Sequence, residues 1–111
     1  MCGILGFLSK NNNNSEYHSK LIQSLSLLLR HRGPNENNYY ISNSKKVYLG
    51  HTRLSIQDLS KNGSQPMISK DGRYVISYNG EIYNHYSLRN ELNEELKESW
   101  KSNCDTETLL T

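Results

Sequence analysis

Glycine-bearing turn signals at Gly33-Pro34, Asp71-Gly72 and Asn79-Gly80 punctuate the chain. Between them it is assembled from separate helices and strands. The periodicity between the breaks says which. Residues 3–8 read as a short buried strand, with glycine at both Gly3 and Gly6, and the polar stretch 9–14 reads as a loop. Ser15 suits a helix N-cap, and Leu21, Ile22, Leu25, Leu28 and Leu29 recur at helical spacing through Arg30. Arg32-Gly33-Pro34 ends that helix, glycine tolerating a left-handed cap and proline being unable to continue the ladder.

The middle of the chain has the look of sheet. Asn38 to Ser42 and Val47 to His51 flank a polar turn at Asn43-Ser44, and Thr52 to Ile56 extends the alternation. After a loop over residues 57–66, Met67-Ile68 and Tyr74 to Tyr78 flank Asp71-Gly72, a strong hairpin signal. A second helix is expected from about Asn84, carrying Leu88, Leu92 and Leu96. Asp105 suits the N-cap of a third. Strand, helix, several strands and helix again give an α+β class, and 111 residues make one domain, 1–111. The sequence stops at Leu109-Leu110-Thr111, where a helix has begun to present apolar residues, so a truncated domain is expected.

Charge and hydropathy exclude several function classes. With 22% charged residues and a net charge of +2, the chain lacks the basic face of a nucleic-acid binder. No apolar run approaches the ~18–20 residues of a membrane span. Cys2 to Leu8 is too short, and lacks the basic flank and cleavage site, for a secretory signal. A cytoplasmic location with reduced thiols is therefore expected. Cys2, Cys104 and histidines 18, 31, 51 and 85 show no metal-ligand spacing, so no metal site is assigned, and no phosphate-cradling glycine loop is present.

Four places can carry chemistry. Cys2 follows the initiator Met1; once Met1 is removed, thiol and α-amine share one residue. A thiol titrates near ~8.5 and an α-amine near ~7.7–8.0, so the amine can take the thiol proton close to neutral pH. The bland alternative is a small buried hydrophobe opening a strand. Gly3 beside it is expected to admit substrate close to the backbone. Asn79-Gly80 is either a hairpin turn or an oxyanion hole made of the Asn79 amide and the Gly80 N–H, with Glu81 placed to take an ammonium. Arg53 is either a solvated or paired strand residue or a fork for a substrate carboxylate. Asp105 is a helix cap whose carboxylate, facing a cleft, would bind an amine. His31 is read as a structural hydrogen-bonding residue.

Six strings occur in order: Met1-Cys2-Gly3-Ile4, Arg30-His31-Arg32-Gly33-Pro34, Gly50-His51-Thr52-Arg53-Leu54-Ser55-Ile56, Gln65-Pro66-Met67, Tyr78-Asn79-Gly80-Glu81-Ile82-Tyr83-Asn84 and Asp105-Thr106-Glu107. Together they resemble the glutaminase domain of class II, N-terminal-nucleophile glutamine amidotransferases, and within them the glutamine-hydrolysing asparagine synthetase branch. The resemblance implies Cys2 as nucleophile and Asn79 with Gly80 as oxyanion hole. It also implies Arg53 on the glutamine α-carboxylate, Leu54 and Ile56 as backbone lining, and Glu81 and Asp105 on the α-ammonium. It implies the N-terminal part of an αββα four-layer sandwich, incomplete at its C-terminal end. Glutamine is the implied substrate, and ammonia would pass to a C-terminal synthetase domain or separate chain that uses ATP and Mg²⁺ to make asparagine from aspartate. No cofactor is expected in this segment; a second copy of the chain is a further candidate partner. The alternatives are an inactive glutamine-binding or partner-binding module, and a glutaminase serving another acceptor. Two positions depart from the family pattern: Asn35 stands where Asp is usual, weakening an expected salt bridge or cap, and Cys104 where a small hydroxyl residue is common.

Overall fold

The computed structural model describes residues 1–55, 58–97 and 99–111. Its order is β1 (Gly3–Leu8), α1 (Ser15–Leu28), β2 (Glu36–Ile41), β3 (Val47–Arg53), a 3-10 turn (Lys61–Gly63), β4 (Met67–Ile68), β5 (Val75–Ile76), α2 (His85–Leu96) and α3 (Asp105–Leu110). The class is α+β, as the alternation of periods implies. Two antiparallel sheets form, one in the order β1-β3-β2 and the other pairing β4 with β5.

β3 is the organising strand, because it is hydrogen-bonded on both edges. Gly3 to Leu8 pair with Thr52 to Val47 on one side, and Glu36 to Ile41 pair with Arg53 to Tyr48 on the other. α1 lies across this sheet and buries Ile22 and Ser26 completely. The approach is close at Gly50, where an added Cβ would come within 2.5 Å of Ser26 Oγ. A small hydroxyl on the helix, bonded to the Ile22 carbonyl at 2.8 Å, therefore meets a glycine on the strand. Beside it Phe7 stacks on fully buried Tyr48 with ring centroids 4.7 Å apart, and His18 meets Tyr48 edge-on. The helical stripe differs from its sequence reading at one end, since Leu28 is exposed and the helix stops there.

Other expectations are corrected by local geometry. Asn14, not Ser15, is the N-cap of α1, and Cys104, not Asp105, that of α3, so Ser15 and Asp105 are the first helical residues. Gly33 does not adopt a left-handed cap conformation; it is needed because any Cβ would collide with the Thr52 carbonyl of β3. His31 bonds the Leu28 carbonyl through Nδ1 at 3.0 Å, closing the helix end as a structural residue. β3 ends at Arg53, and Ile56 lies outside the described residues. At Gly72, φ is +73°, the left-handed turn expected between β4 and β5. The buried face of α2 is formed by His85 and Arg89, with Leu88 and Leu92 half-buried and Leu96 exposed. α3 packs on α2, β4 and β5, which sets its first turn beside the exit of β5.

Candidate functional site

The pairing of Gly3 with Thr52 carries Cys2 past the end of β3, opposite the residues that leave it. There its Sγ lies 3.4 Å from the Leu54 N–H and 3.9 Å from the Leu54 carbonyl. The thiol can donate to the carbonyl. The thiolate, an acceptor only, keeps the N–H. One backbone unit thus serves both protonation states. The Gly3 N–H donates to Thr52 Oγ1 at 3.2 Å, and Thr52 Oγ1 donates to the Leu29 carbonyl at 3.1 Å, fixing the strand end under the thiol. A Cβ on Gly3 would meet Thr52 Oγ1 and Leu29; its smallness serves packing inside the fold, which corrects the expectation that it opens a path for substrate.

Three further segments close on the thiol. β5 runs out into Tyr78-Asn79-Gly80-Glu81 and leads directly to α2, so Asn79-Gly80 is an open loop and not the turn of a hairpin. Gly80 has no room for a side chain, because the Tyr78 ring and hydroxyl occupy the place where its Cβ would stand. Asp105, buried at the start of α3, accepts the Ile82 N–H through Oδ2 at 2.8 Å and ties this loop to the helix. Burial pushes the Tyr78 phenol up from its ordinary value, and the Asp105 and Glu81 carboxylates push the same way. That wall of the site is anionic.

Arg53 also lines the site, but its charge is engaged. Arg53, 6% exposed, donates through Nη1 to the Ser60 carbonyl at 2.8 Å and to Glu36 Oε1 at 3.2 Å, and through Nη2 to the Asp58 carbonyl. Gly63 admits the guanidinium, since a Cβ there would lie 2.5 Å from Nη2. Asp58 in turn accepts the Asn103 N–H at 2.9 Å, so the loop over Arg53 is pinned to the segment leading into α3. Asn35 does the work of an acceptor where Asp is usual: its Oδ1 takes the Ser55 N–H at 3.0 Å. Cys104 is buried with Sγ 3.1 Å from Ser102 Oγ.

These segments enclose a cavity of about 360 Å³. Cys2, Arg53, Leu54, Asn79, Gly80, Glu81 and Asp105 all line it. Residues up to 103 positions apart in sequence therefore line one cavity, with a thiol, a guanidinium and carboxylates among its groups. Over its whole length, residues 1–111, the chain matches the family described as glutamine amidotransferase domain. The chain belongs to that family. It is 42% identical to a probable glutamine-hydrolysing asparagine synthetase of Dictyostelium discoideum over 110 residues, 99% of this chain and 19% of the relative. It is 37% identical to asparagine synthetase B of Escherichia coli K12 over 105 residues, 95% of this chain and 18% of that protein. Against asparagine synthetase 1 of Bacillus subtilis the figure is 38% over 111 residues, 99% of this chain and 17% of that protein. This amidotransferase chain thus spans about a fifth of the length of these curated relatives.

The cavity also contains residues to which sequence reasoning gave no role. Gln65, His51, Tyr78 and Thr106 line it, and Arg89 and Glu107 hold the segment before α3 from behind. All but Arg89 fall within the strings that carry the family resemblance, but residue type and spacing alone gave them no role. Their partners lie far away in sequence and are brought to them only by the tertiary fold: Tyr78 to His51 and Gln65, and α3 with the segment before it to Gln65 and Arg89.

Proposed function

We propose that this chain is the glutaminase portion of a glutamine-hydrolysing asparagine synthetase, with the Cys2 thiol as nucleophile. The observation that carries the reading is the meeting of the thiol, the Asn79-Gly80 loop, Arg53 and the Asp105 and Glu81 carboxylates around one cavity. A free amino acid with an amide side chain presents a carboxylate, an ammonium and a carbonyl to be attacked, and the chamber holds a matching group for each. Removal of Met1 frees the Cys2 α-amine, which takes the thiol proton. The thiolate attacks the side-chain amide carbon of glutamine, and the oxyanion that forms is held by the Asn79 amide and the Gly80 N–H. The protonated amine then gives its proton to the leaving nitrogen, and ammonia departs as the C–N bond breaks. Water adds to the γ-glutamyl thioester, the C–S bond breaks, and glutamate leaves with the thiol regenerated.

Arg53 takes the α-carboxylate by exchanging a loop carbonyl for it, keeping Glu36 as its second partner. Leu54 and Ile56 offer backbone groups to the same end of glutamine, and Glu81 and Asp105 take the α-ammonium. Ammonia is consumed by an ATP- and Mg²⁺-dependent synthetase portion, on the same chain or a separate one, in a cytoplasmic protein that pairs with a second copy. The three-stranded sheet with α1, and the two-stranded sheet with α2 and α3, are the beginnings of the two halves of an αββα sandwich. The rival reading is a module that binds glutamine or a partner chain without turnover.

Cys2→Ala in the intact protein tests the assignment. Glutamine-dependent product formation should disappear while ammonia-dependent formation continues, and the mature protein should lack Met1 by intact mass. Loss of both activities together, or full glutamine hydrolysis with Met1 retained, overturns it. Glutamine binding by the wild type without ammonia release supports the rival.

A further inference from the structure

The Asn79-Gly80 segment is an exposed loop, yet donors to an oxyanion must stand within a few tenths of an ångström of their places. Gly80 has no side chain with which to anchor itself, and Asn79 must leave its own amide free for the substrate. The anchoring has to come from outside. Two buried side chains supply it, one on each peptide group flanking the Cα of Tyr78.

Gln65, 7% exposed, accepts the Tyr78 N–H through Oε1 at 2.6 Å and donates through Nε2 to Thr106 Oγ1 at 3.0 Å. Its carboxamide is therefore used at both ends. One end holds the residue before Asn79, and the other holds the residue after Asp105. His51, 1% exposed, brings Nε2 to 3.3 Å from the Tyr78 carbonyl. A carbonyl only accepts, so Nε2 carries the proton, and the buried Nδ1 has no partner among the described residues. That carbonyl belongs to the same peptide plane as the Asn79 N–H. With its C=O fixed by His51 and the preceding N–H fixed by Gln65, the direction in which the chain enters Asn79 is set.

We propose that Gln65 and His51 are positioning residues for the oxyanion segment, and that the Gln65 amide, through Thr106, couples this segment to the wall that bears Asp105. The inference rests on the glutaminase reading above. It predicts a loss confined to the transition state: glutamine is bound through its α-carboxylate and α-ammonium, whereas the displaced donors meet charge only as the tetrahedral oxyanion develops.

The test uses the intact protein. Gln65→Leu and His51→Phe should each lower kcat for glutamine hydrolysis roughly 10- to 100-fold, a fraction of the loss from deleting an oxyanion donor outright. KM should stay within about threefold, as should the calorimetric Kd for glutamine in a Cys2→Ala background. His51→Gln, which restores an N–H donor to the Tyr78 carbonyl, should recover at least about tenfold of the His51→Phe loss. Should Gln65→Leu not fold, Thr106→Val and Thr106→Ser take its place. The valine removes Gln65's acceptor at constant shape and should be slower by about tenfold than the serine, which keeps it. A kcat unchanged in Gln65→Leu, equal rates for the two Thr106 variants, or losses that appear in KM and Kd instead, would overturn the positioning role. Wild-type hydrolysis that survives Cys2→Ala would instead overturn the glutaminase reading beneath it.

Discussion

Arg53 shows how much one side chain in this site has to do. Its guanidinium donates to Ser60, Asp58 and Glu36 at once, and a planar fork with five N–H donors can satisfy that many acceptors from a single position. An ammonium cannot reproduce the fork: three donors at one point reach either the loop carbonyls or a substrate carboxylate, not both with good geometry. Arg53→Lys should therefore fold, since the strand and the charge opposite Glu36 are kept, but bind glutamine poorly. A rise in KM of about tenfold or more, corresponding to the loss of one charge-assisted hydrogen bond, is expected with a smaller change in kcat. Steady-state glutaminase kinetics read the two separately, and an unchanged KM would place the carboxylate elsewhere. That this arginine is either paired or a carboxylate fork was legible in the sequence; its actual partners were not, because Asp58 and Ser60 reach it only through the path of a loop that has no periodicity to read.

At the level of elements the second half of the site hangs on the start of α3, at Asp105. The first turn of this helix is held by side chains. Burial opposes ionisation of Glu107, but the Lys101 N–H, the Ser102 hydroxyl and N–H, and the Arg89 charge outweigh it and hold its carboxyl below the ordinary value. Arg89 adds bonds to the Ser102 and Cys104 carbonyls and stacks over Trp100 at 4.3 Å. The sign follows from linkage. A carboxyl that ionises more readily in the native state contributes its full stabilisation above the unfolded value of about 4.3, and loses it as pH falls through the native one. Glu107→Gln should lower Tm at pH 7 and flatten the decline of Tm below about pH 4.5. Parallel acid profiles for the two proteins would remove Glu107 from the account. Sequence reasoning found these elements where period or turn chemistry was strong, as in α1, the β2–β3 hairpin and the Gly72 turn. It misjudged Leu28 and Leu96, which continue an apolar spacing after the surface that would cover it has ended. It gave no role to Arg89 and Glu107, whose charges alone mark a solvated face until α3 packs on α2 and brings them together.

For the molecule as a whole, the cavity is the place where two separately built parts meet. Cys2, Arg53 and Leu54 come from the end of the three-stranded sheet, whereas Asn79 to Glu81 and Asp105 come from the two-stranded sheet and the helices beside it. A zwitterion seated with its carboxylate on Arg53 and its ammonium on Asp105 and Glu81 would bridge the two. A ligand that binds only this closed arrangement stabilises it by about 2.7 kcal/mol at a concentration one hundred times its Kd. In a Cys2→Ala protein, where turnover is blocked, saturating L-glutamine should raise the unfolding midpoint of the transition that includes this domain by several degrees. Two analogues divide the effect by wall. Glutaramate lacks the α-ammonium and 4-aminobutyramide lacks the α-carboxylate, and each should lose most of the shift, because a ligand held at one wall no longer ties the parts together. If glutaramate protects as well as glutamine does, the carboxylates of Asp105 and Glu81 do not receive the ammonium. If neither analogue nor glutamine shifts the midpoint, the cavity is not the amino-acid site. A full shift from glutamine with little from either fragment is the outcome expected of a site whose two halves come from different sheets.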